Sequence, residues 1–263
     1  MPVLPMPLAI ERLNMKQEMS VKLRGSIQQG FTLVELAIVL AVIGLIVGAV
    51  AIGKDLQRNA AYQRLSTDFV QGWLVAYDSY TTATGRVPGD NATAPTGAIR
   101  ASVATAVATP GNILCDDTTP NLLNEFLAAG VGLPEGRNEA QRNRFVYLDA
   151  NGNPQEARVC FQNVTWAEPG AAVSTYVARP RNVMVLQGLT PSLAQMLDSQ
   201  IDTQSDARFG RFRESSQAGA HTTIAGTPWS KTDIWKFSDT AAPGANQDEA
   251  QVATVTAYLL MNR

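Results

Sequence analysis

Leu36–Gly53 reads LAIVLAVIGLIVGAVAIG, eighteen residues without a charged side chain. At 1.5 Å rise per residue, an α-helix over this run is about 27 Å long, close to the roughly 30 Å hydrocarbon core of a bilayer. The run therefore predicts a membrane-inserted helix. The residues on either side of it are interpreted relative to this helix.

The residues before this run carry a net positive charge. Residues 1–30 contain four basic and two acidic side chains, namely Arg12, Lys16, Lys22, Arg24, Glu11 and Glu18. Positive charge before a span keeps that end in the cytoplasm, so the C-terminal part is expected on the outer side. Three interpretations compete: a plain anchor helix, a secretory signal cleaved at Ala49-Val50-Ala51, and a leader cut before the run at Gly30–Phe31. A secretory signal usually has a shorter apolar region than this one.

The residues around Gly30 favour the third interpretation. Met19–Gly30 reads MSVKLRGSIQQG, which is short, basic and ends in glycine, and Phe31–Leu36 reads FTLVEL. This arrangement resembles the class III signal of type IV pilins and of the pseudopilins of type II secretion, closely over residues 25–60 and loosely beyond. The resemblance implies that a prepilin peptidase cuts after Gly30 and N-methylates Phe31. It also implies that subunits polymerise through the N-terminal helix.

Glu35 is the acidic residue beside the apolar run. A carboxylate at the membrane-facing end of a helix is costly and by default marks a functional contact. After the cut, the new α-amine of Phe31 would be largely cationic at neutral pH. Glu35 can neutralise the amine of its own chain or of a neighbour, so we expect it to be an assembly contact. The alternative is a side chain that only reaches water at the interface.

The apolar run differs from that of major type IVa pilins, which usually carry a proline late in the segment. Ile52 stands at that position here. Gly44 and Gly48 form a G-x-x-x-G pair, which permits close helix approach in lipid, although glycine is also simply tolerated in membrane helices. The missing proline and the 233 residues after the cut favour a minor pilin or a pseudopilin over a major pilin.

A row of apolar residues continues the helix past the membrane run. Its members recur at mostly three- and four-residue steps: Leu56, Tyr62, Leu65, Phe69, Trp73, Ala76 and Tyr80. Turn residues follow at Pro88-Gly89-Asp90, and the string GRVPGDNAT around them resembles the turn after the spine of large pseudopilin-like sequences. We expect a spine helix from Phe31 to Ala83. The predicted organisation is a leader at 1–30, a transmembrane and spine helix at 31–84, and a globular domain at 85–263.

Short elements are predicted within residues 85–263, after a long loop over Arg86–Gly111. Helices are expected over Asn121–Gly130 and Pro191–Ile201. Strands are expected over Arg144–Leu148, Ala157–Phe161, Ser174–Ala178, Asn182–Leu186 and Ala253–Leu260. Together these elements predict an α+β fold in which a small antiparallel sheet packs across the helical spine.

One candidate metal site lies between two predicted strands. Asp149, Asn151 and Asn153 place oxygen side chains at alternate positions, as at the start of a calcium loop, but the closing glutamate of an EF-hand is missing. Asn-Gly between strands is also a hairpin signal. We favour the hairpin and expect no cofactor, with calcium as the alternative.

Other chemistry-bearing residues of this domain have ordinary explanations. Asp198, Asp202 and Asp206 share helical spacing and are expected to form a solvated acidic face. His221 is expected in an exposed loop. Trp229 and Trp235 flank Lys231 and Asp233 and are expected in the core rather than on a binding surface.

Cys115 and Cys160 are the two cysteines of the chain. The expected topology places both outside the cytoplasm, where disulfides form and persist. Two cysteines allow one internal pairing, so we predict a Cys115–Cys160 disulfide. The alternative is two buried free thiols.

The composition argues against several classes of protein function. Lys+Arg 21 against Asp+Glu 23 gives a formal net charge of −2, without the basic excess of a nucleic-acid-binding domain. One histidine and two cysteines cannot supply the usual four Cys/His ligands of zinc, and a serine–histidine triad could use only His221. We therefore expect a structural subunit and not an enzyme.

The resemblance implies the partners and the location of this subunit. The partners are prepilin peptidase, other pilin or pseudopilin subunits and an inner-membrane assembly platform. The location is the bacterial inner membrane, with a periplasmic C-terminal domain, and then a pilus or pseudopilus. The alternatives are a membrane-anchored periplasmic enzyme and an adhesin or DNA-binding tip protein, the latter drawing on modest basic clusters at Arg137–Arg144 and Arg208–Arg213.

Overall fold

The computed structural model describes residues 32–99, 113–172, 175–219, 224–231, 233 and 252–262. The chain divides into two units, Met1–Ala49 and Val50–Arg263. The predicted leader and Phe31 lie outside the described residues.

The first 52 described residues after Thr32 form one long helix, Leu33–Thr84. It consists of α1 (Leu33–Arg64), a π-helical turn (Leu65–Val70) and α2 (Gln71–Thr84). Gly85 ends the helix in the left-handed conformation at φ 72°, and its N–H donates to the Thr81 carbonyl at 2.9 Å. Glycine adopts this conformation without a Cβ clash, so the helix ends where the turn residues begin.

Within the second unit, one side of the helix is packed and the other is exposed. The buried residues are Tyr62, Leu65, Phe69, Val70, Trp73, Ala76, Tyr77 and Tyr80. The rings of Trp73, Tyr77 and Tyr80 pack against Phe126 and Phe161, with Tyr77 stacked on Phe161 at a centroid distance of 5.3 Å. Leu56 was expected in this row but is 65% exposed, so the packed side begins at Tyr62.

The described residues also contain a six-stranded antiparallel sheet, which contributes to the core. Its strands are β1 (Ile113–Leu114), β2 (Arg144–Leu148), β3 (Pro154–Pro169), β4 (Tyr176–Leu189), β5 (Phe212–Glu214) and β6 (Val255–Leu260). The order is β1-β3-β4-β6-β5, and β2 also pairs with β3. Two helices, α3 (Leu122–Ala128) and α4 (Pro191–Asp202), and a 3-10 turn at Glu139–Gln141 are the other elements in the part of the chain that the structure describes. The predicted α+β fold, with a long N-terminal helix and an antiparallel sheet, is confirmed.

Side chains alternate between the two faces of this sheet. Val159 and Phe161 of β3 belong to the core that contains the helix aromatics. Cys160, Val164 and Trp166 belong to a second cluster, together with Val183, Val185, Cys115 and Ala218. The sheet therefore separates a large core from a small one.

Two strand predictions merge into one element. Ser174–Ala178 and Asn182–Leu186 were expected as separate strands, but β4 is continuous from Tyr176 to Leu189. Pro180 lies inside β4 and pairs with Thr165. Proline is tolerated there because β6 pairs with β4 only from Val183 onward, so the other edge of β4 needs no ladder bond at this point.

Candidate functional site

The N-terminal turn of α1 is built by Thr32 and Glu35. The Thr32 backbone N–H donates to Glu35 Oε2 at 2.8 Å, and the Thr32 hydroxyl donates to the same oxygen at 3.0 Å. In return, the Glu35 backbone N–H donates to Thr32 Oγ1 at 3.2 Å. This reciprocal arrangement is a capping box, and it satisfies two N–H groups that the helix start leaves without partners.

Beyond that turn, the helix presents an apolar surface on all sides. Each large apolar side chain from Leu33 to Ile52 is at least 50% exposed. A helix that is apolar all round requires an apolar environment. Among the described residues, this helix is the one long and apolar enough to cross a membrane.

Gly44 and Gly48 lie one turn apart on this surface. A Cβ added at either position would meet no atom within 4 Å. Glu35 precedes Gly44 by nine residues, which is about 2.5 helical turns, so the carboxylate and the glycine pair lie on opposite sides of the helix. Each side is available to a different neighbour.

Comparison with known proteins identifies this segment. Residues 25–51 match the family model described as the prokaryotic N-terminal methylation motif. The chain carries a type IV prepilin-like signal. No curated protein and no solved structure matches the chain. The prepilin-like signal covers the apolar helix and the residues just before it, which fits a single-pass protein anchored in the inner membrane.

The structure describes some of the predicted residues of the prepilin-like signal and not others. Gly30 and Phe31 lie outside the described residues, whereas Glu35 is held in the first turn of α1. Thr32 is a residue that the sequence reasoning missed. The Thr-x-x-Glu spacing directly before an apolar run was the available signal for it.

The two cysteines form the disulfide that was predicted. Cys115 and Cys160 are bonded across β1 and β3, with Cα atoms 4.7 Å apart. Their exposures are 2% and 0%, so the bond lies inside the smaller core. It joins the residue that directly follows β1 to the centre of β3.

An ion-pair network surrounds the residue next to Cys115. Asp116 pairs with Arg144 at 2.8 Å and with Arg158, and Glu156 pairs with Arg137 and Arg144 at 2.8 Å each. Burial acts to raise the pKa of Asp116, but hydrogen bonds from the two arginines outweigh it and lower that pKa to about 2. Arg137 and Arg144, the ends of one candidate basic cluster, are therefore engaged within the domain.

Asp149 closes the predicted hairpin. β2 and β3 pair through Leu148 and Pro154, which confirms the hairpin. The Asp149 carboxylate accepts the backbone N–H groups of Asn151 and Asn153, each at 2.9 Å, and that of Val252 at 3.2 Å. Burial acts to raise the pKa of Asp149, but the Gln155 side-chain amide, which donates to Oδ2 at 3.1 Å, and these backbone N–H groups outweigh it and lower that pKa. The carboxylate of the alternative calcium site thus serves as an acceptor for backbone amides.

The prediction that Asp198 belongs to a solvated acidic face is wrong. Asp198 is fully buried, and its Oδ2 accepts the Asp206 backbone N–H at 2.7 Å and the Trp229 indole N–H at 3.2 Å. Its Oδ1 has no hydrogen-bond partner among the described residues. Burial, followed by the like charges of Asp202 and Asp206, raises the pKa of Asp198 to about 7. Helical spacing could not show that the chain after α4 folds back over this carboxylate.

The remaining candidates are structural where the structure describes them. Trp229 is buried against Phe212 at a centroid distance of 5.7 Å, as expected for the core. Arg213, at the end of the second basic cluster, is buried and stacks on Trp166 at 4.1 Å from the ring centroid. His221 and Trp235 lie outside the described residues.

Proposed function

We propose that the chain is a minor pilin or pseudopilin subunit. A prepilin peptidase cuts it after Gly30 and N-methylates Phe31, and the subunit then enters a type IV pilus or a type II secretion pseudopilus through its N-terminal helix. The observation that carries this proposal is the methylation motif at residues 25–51 placed on an exposed apolar helix.

The organisation of the chain supports a structural role. Residues 1–30 act as the leader, 31–84 as the transmembrane and spine helix, and 85–263 as a periplasmic globular domain without enzymatic activity. The apolar run lies between Glu35 and Lys54, nineteen residues apart, which spans about 28 Å of helix. The buried disulfide suits an oxidising compartment.

The partners of this proposal are other subunits and the assembly platform in the inner membrane. In the bilayer, the G-x-x-x-G pair at Gly44 and Gly48 allows a neighbouring helix to approach closely. Glu35, on the opposite side, offers a carboxylate to an ammonium group. Removal of an ammonium group from water into lipid is costly, so its pairing with Glu35 stabilises a packed array of helices.

Processing is tested by the intact mass of the protein from cells with a functional prepilin peptidase. We expect a mature chain that begins at N-methyl-Phe31. Cells without the peptidase serve as the control and should yield a chain that keeps its leader. A mature chain that begins at Ile52, after the Ala49-Val50-Ala51 site, would contradict the proposal.

Assembly is tested by Glu35→Ala, with Asp55→Ala as the matched control at the other end of the apolar run. Asp55 is exposed and pairs with Arg58 at 3.3 Å within the helix. We expect Glu35→Ala to enter the membrane at the wild-type level yet to be lost from sheared filaments. Asp55→Ala should be incorporated normally. Equal incorporation of both variants would show that Glu35 only reaches water at the interface.

A further inference from the structure

Two loops of the globular domain are fastened to α4 through one oxygen of one side chain. Residues 204–210 follow α4 and residues 224–230 come later in the chain, and we call the two loops together the strap. The Asp206 backbone N–H of the first loop donates to Asp198 Oδ2 at 2.7 Å, and the Trp229 indole N–H of the second loop donates to the same oxygen at 3.2 Å. Asp198 therefore holds both loops against the helix.

The two loops of the strap are also bonded to each other. The Ala207 backbone N–H donates to the Thr227 carbonyl at 2.8 Å. In return, the Thr227 backbone N–H donates to Asp206 Oδ2 at 2.7 Å. A disturbance at the point where the strap meets α4 therefore reaches both loops.

The carboxyl group at this point is buried and lacks a full set of partners. Asp198 is fully buried, and its Oδ1 has no hydrogen-bond partner in the described part of the chain. A neutral carboxyl group loses less on burial than an ionised carboxylate, which needs donors for about four acceptor sites. The closed strap therefore favours the protonated group, in agreement with a pKa of about 7.

The charged groups around this carboxyl group do not compensate for its burial. Asp202 and Asp206 are like charges that also raise the pKa of Asp198. On β5, the Glu214 carboxylate is a further acceptor, bonded to the backbone N–H that follows Trp229 in the chain. The opposing cation on β5 is Arg213, whose charge acts on Asp202 and Asp206 and whose guanidinium donates to two backbone carbonyl groups.

We propose that Asp198 is the sensor of a pH-dependent strap, which is closed over α4 when this carboxyl group is protonated and opens when it ionises. Opening gives the carboxylate access to water, which supplies the donors that the closed site lacks. It also uncovers the apolar contact between Trp229 and Phe212, whose ring centroids are 5.7 Å apart. A rise in pH therefore exposes an apolar surface that is buried in acid. The motion lies within the globular domain, so it does not depend on assembly into a filament.

The pH range of the motion follows from the pKa of Asp198 in the two states. In the open strap the group faces water and titrates near its ordinary pKa of 3.8, against about 7 in the closed strap. The open form releases its proton at the lower pH, so a rise in pH favours it. The ratio of open to closed strap should increase by about tenfold per pH unit between roughly pH 4 and pH 7, and it should be constant above that range.

The experiment is amide hydrogen exchange of the purified full-length protein in nonionic detergent at pH 5, 6 and 7, measured by mass spectrometry of peptides. Rates are corrected for the intrinsic pH dependence of exchange, and peptides of the strap are compared with peptides of the β3–β4 hairpin. We expect protection of the strap to fall by about tenfold per pH unit and to lie at least about tenfold below that of the hairpin at pH 7.

Two variants locate the sensor. Asp198→Asn cannot ionise, so protection of its strap should be independent of pH. Asp78→Asn is the matched control, since Asp78 is exposed on α2, and its strap should behave like that of the wild type.

The wild type alone can refute the motion, even if Asp198→Asn does not fold. Strap protection that is the same at pH 5 and pH 7 would overturn the pH dependence. Equal protection of strap and hairpin at every pH would show that the strap opens only when the whole domain unfolds, which would also overturn the proposal. A strap in folded Asp198→Asn that still loses protection with rising pH would place the sensor on another group.

Discussion

Replacement of Asp198 by asparagine should change how the stability of the domain depends on pH. The pKa of Asp198 is about 7 in the folded protein against an ordinary value of 3.8. A carboxyl whose pKa is raised on folding weakens the fold as pH rises, because the unfolded chain releases the proton first. The cost begins near pH 4, grows up to about pH 7 and is constant above it.

The size of this effect follows from the difference between the two pKa values. About three pH units at about 1.4 kcal/mol each give a cost on the order of 4 kcal/mol at pH 8 and almost none at pH 4. The substituted asparagine keeps an oxygen for the Asp206 and Trp229 donors and places its NH₂ group where the wild-type carboxyl also lacks a partner among the described residues, so the two proteins carry a similar cost for that unpaired group. Because asparagine does not ionise, Asp198→Asn should be about as stable as the wild type at pH 4 and the more stable protein at pH 8.

The assay is urea unfolding of the purified full-length protein in nonionic detergent, followed by tryptophan fluorescence between pH 4 and pH 8. Asp78→Asn is the matched control, since Asp78 is exposed on α2. The free energy of unfolding of Asp198→Asn should rise relative to that of the wild type by about 4 kcal/mol from pH 4 to pH 8. Parallel curves for the two proteins would refute the assigned burial of the Asp198 charge.

Three further predictions concern the core. Replacement of both Cys115 and Cys160 by serine should lower the free energy of unfolding by up to about 4 kcal/mol, the entropic value for a 45-residue loop; mass spectrometry of alkylated, non-reduced wild type should find no free thiol. Gly188→Ala should destabilise by more than about 1 kcal/mol, because φ is +74° there and the new Cβ would collide with a β3 carbonyl oxygen, whereas Gly152→Ala, at φ +86° in open space, should cost less. Trp73→Phe should cost less than the roughly 3–5 kcal/mol typical of aromatic truncation in a core, because it removes a buried indole N–H for which no described residue is a partner; a loss of that full size in thermal unfolding would contradict this account.

Sequence patterns predicted the helices and strands that are determined by residues close to each other in the chain. β2 occupies the expected Arg144–Leu148. α3 begins after Asn121, whose side chain accepts the N–H groups of Leu123 and Asn124, and α4 begins at Pro191. Caps, proline and glycine act within a few residues, so they can be recognised without knowledge of distant contacts.

Elements that depend on distant partners were missed or shortened. β1 and β5 have two and three residues, too few for any alternation, and they exist because β3 and β6 pair with them. β3 extends to Pro169, well beyond the predicted Phe161, because its outer half pairs with β4 and Glu168 pairs with Arg181 across the strands. The π-helical turn within the spine likewise has no counterpart in the periodicity of the sequence.

The same limit applies to the candidate site. The motif at residues 25–51 and the apolar run could be recognised from residue types alone, because a sequence motif and the hydropathy of a helix depend on consecutive residues. The burial of Asp198 could not be, since it depends on Asp206 and Trp229 folding back over α4. The capping contact between Thr32 and Glu35 could have been predicted from the sequence, because the two residues of a capping box are only three positions apart.

The position of β6 has a consequence for the order of folding. This strand comes last in sequence among the described elements, yet it lies between β4 and β5 and joins them. Chains emerge from the ribosome N-terminus first, so the helix aromatics and the β3–β4 hairpin are made long before the strand that completes their sheet. Until residue 260 is available, β4 has an open edge over Val183–Leu189, and such edges pair with other chains. A partly made chain is therefore prone to aggregation, and a chain cut short before Val255 cannot mature into the native sheet.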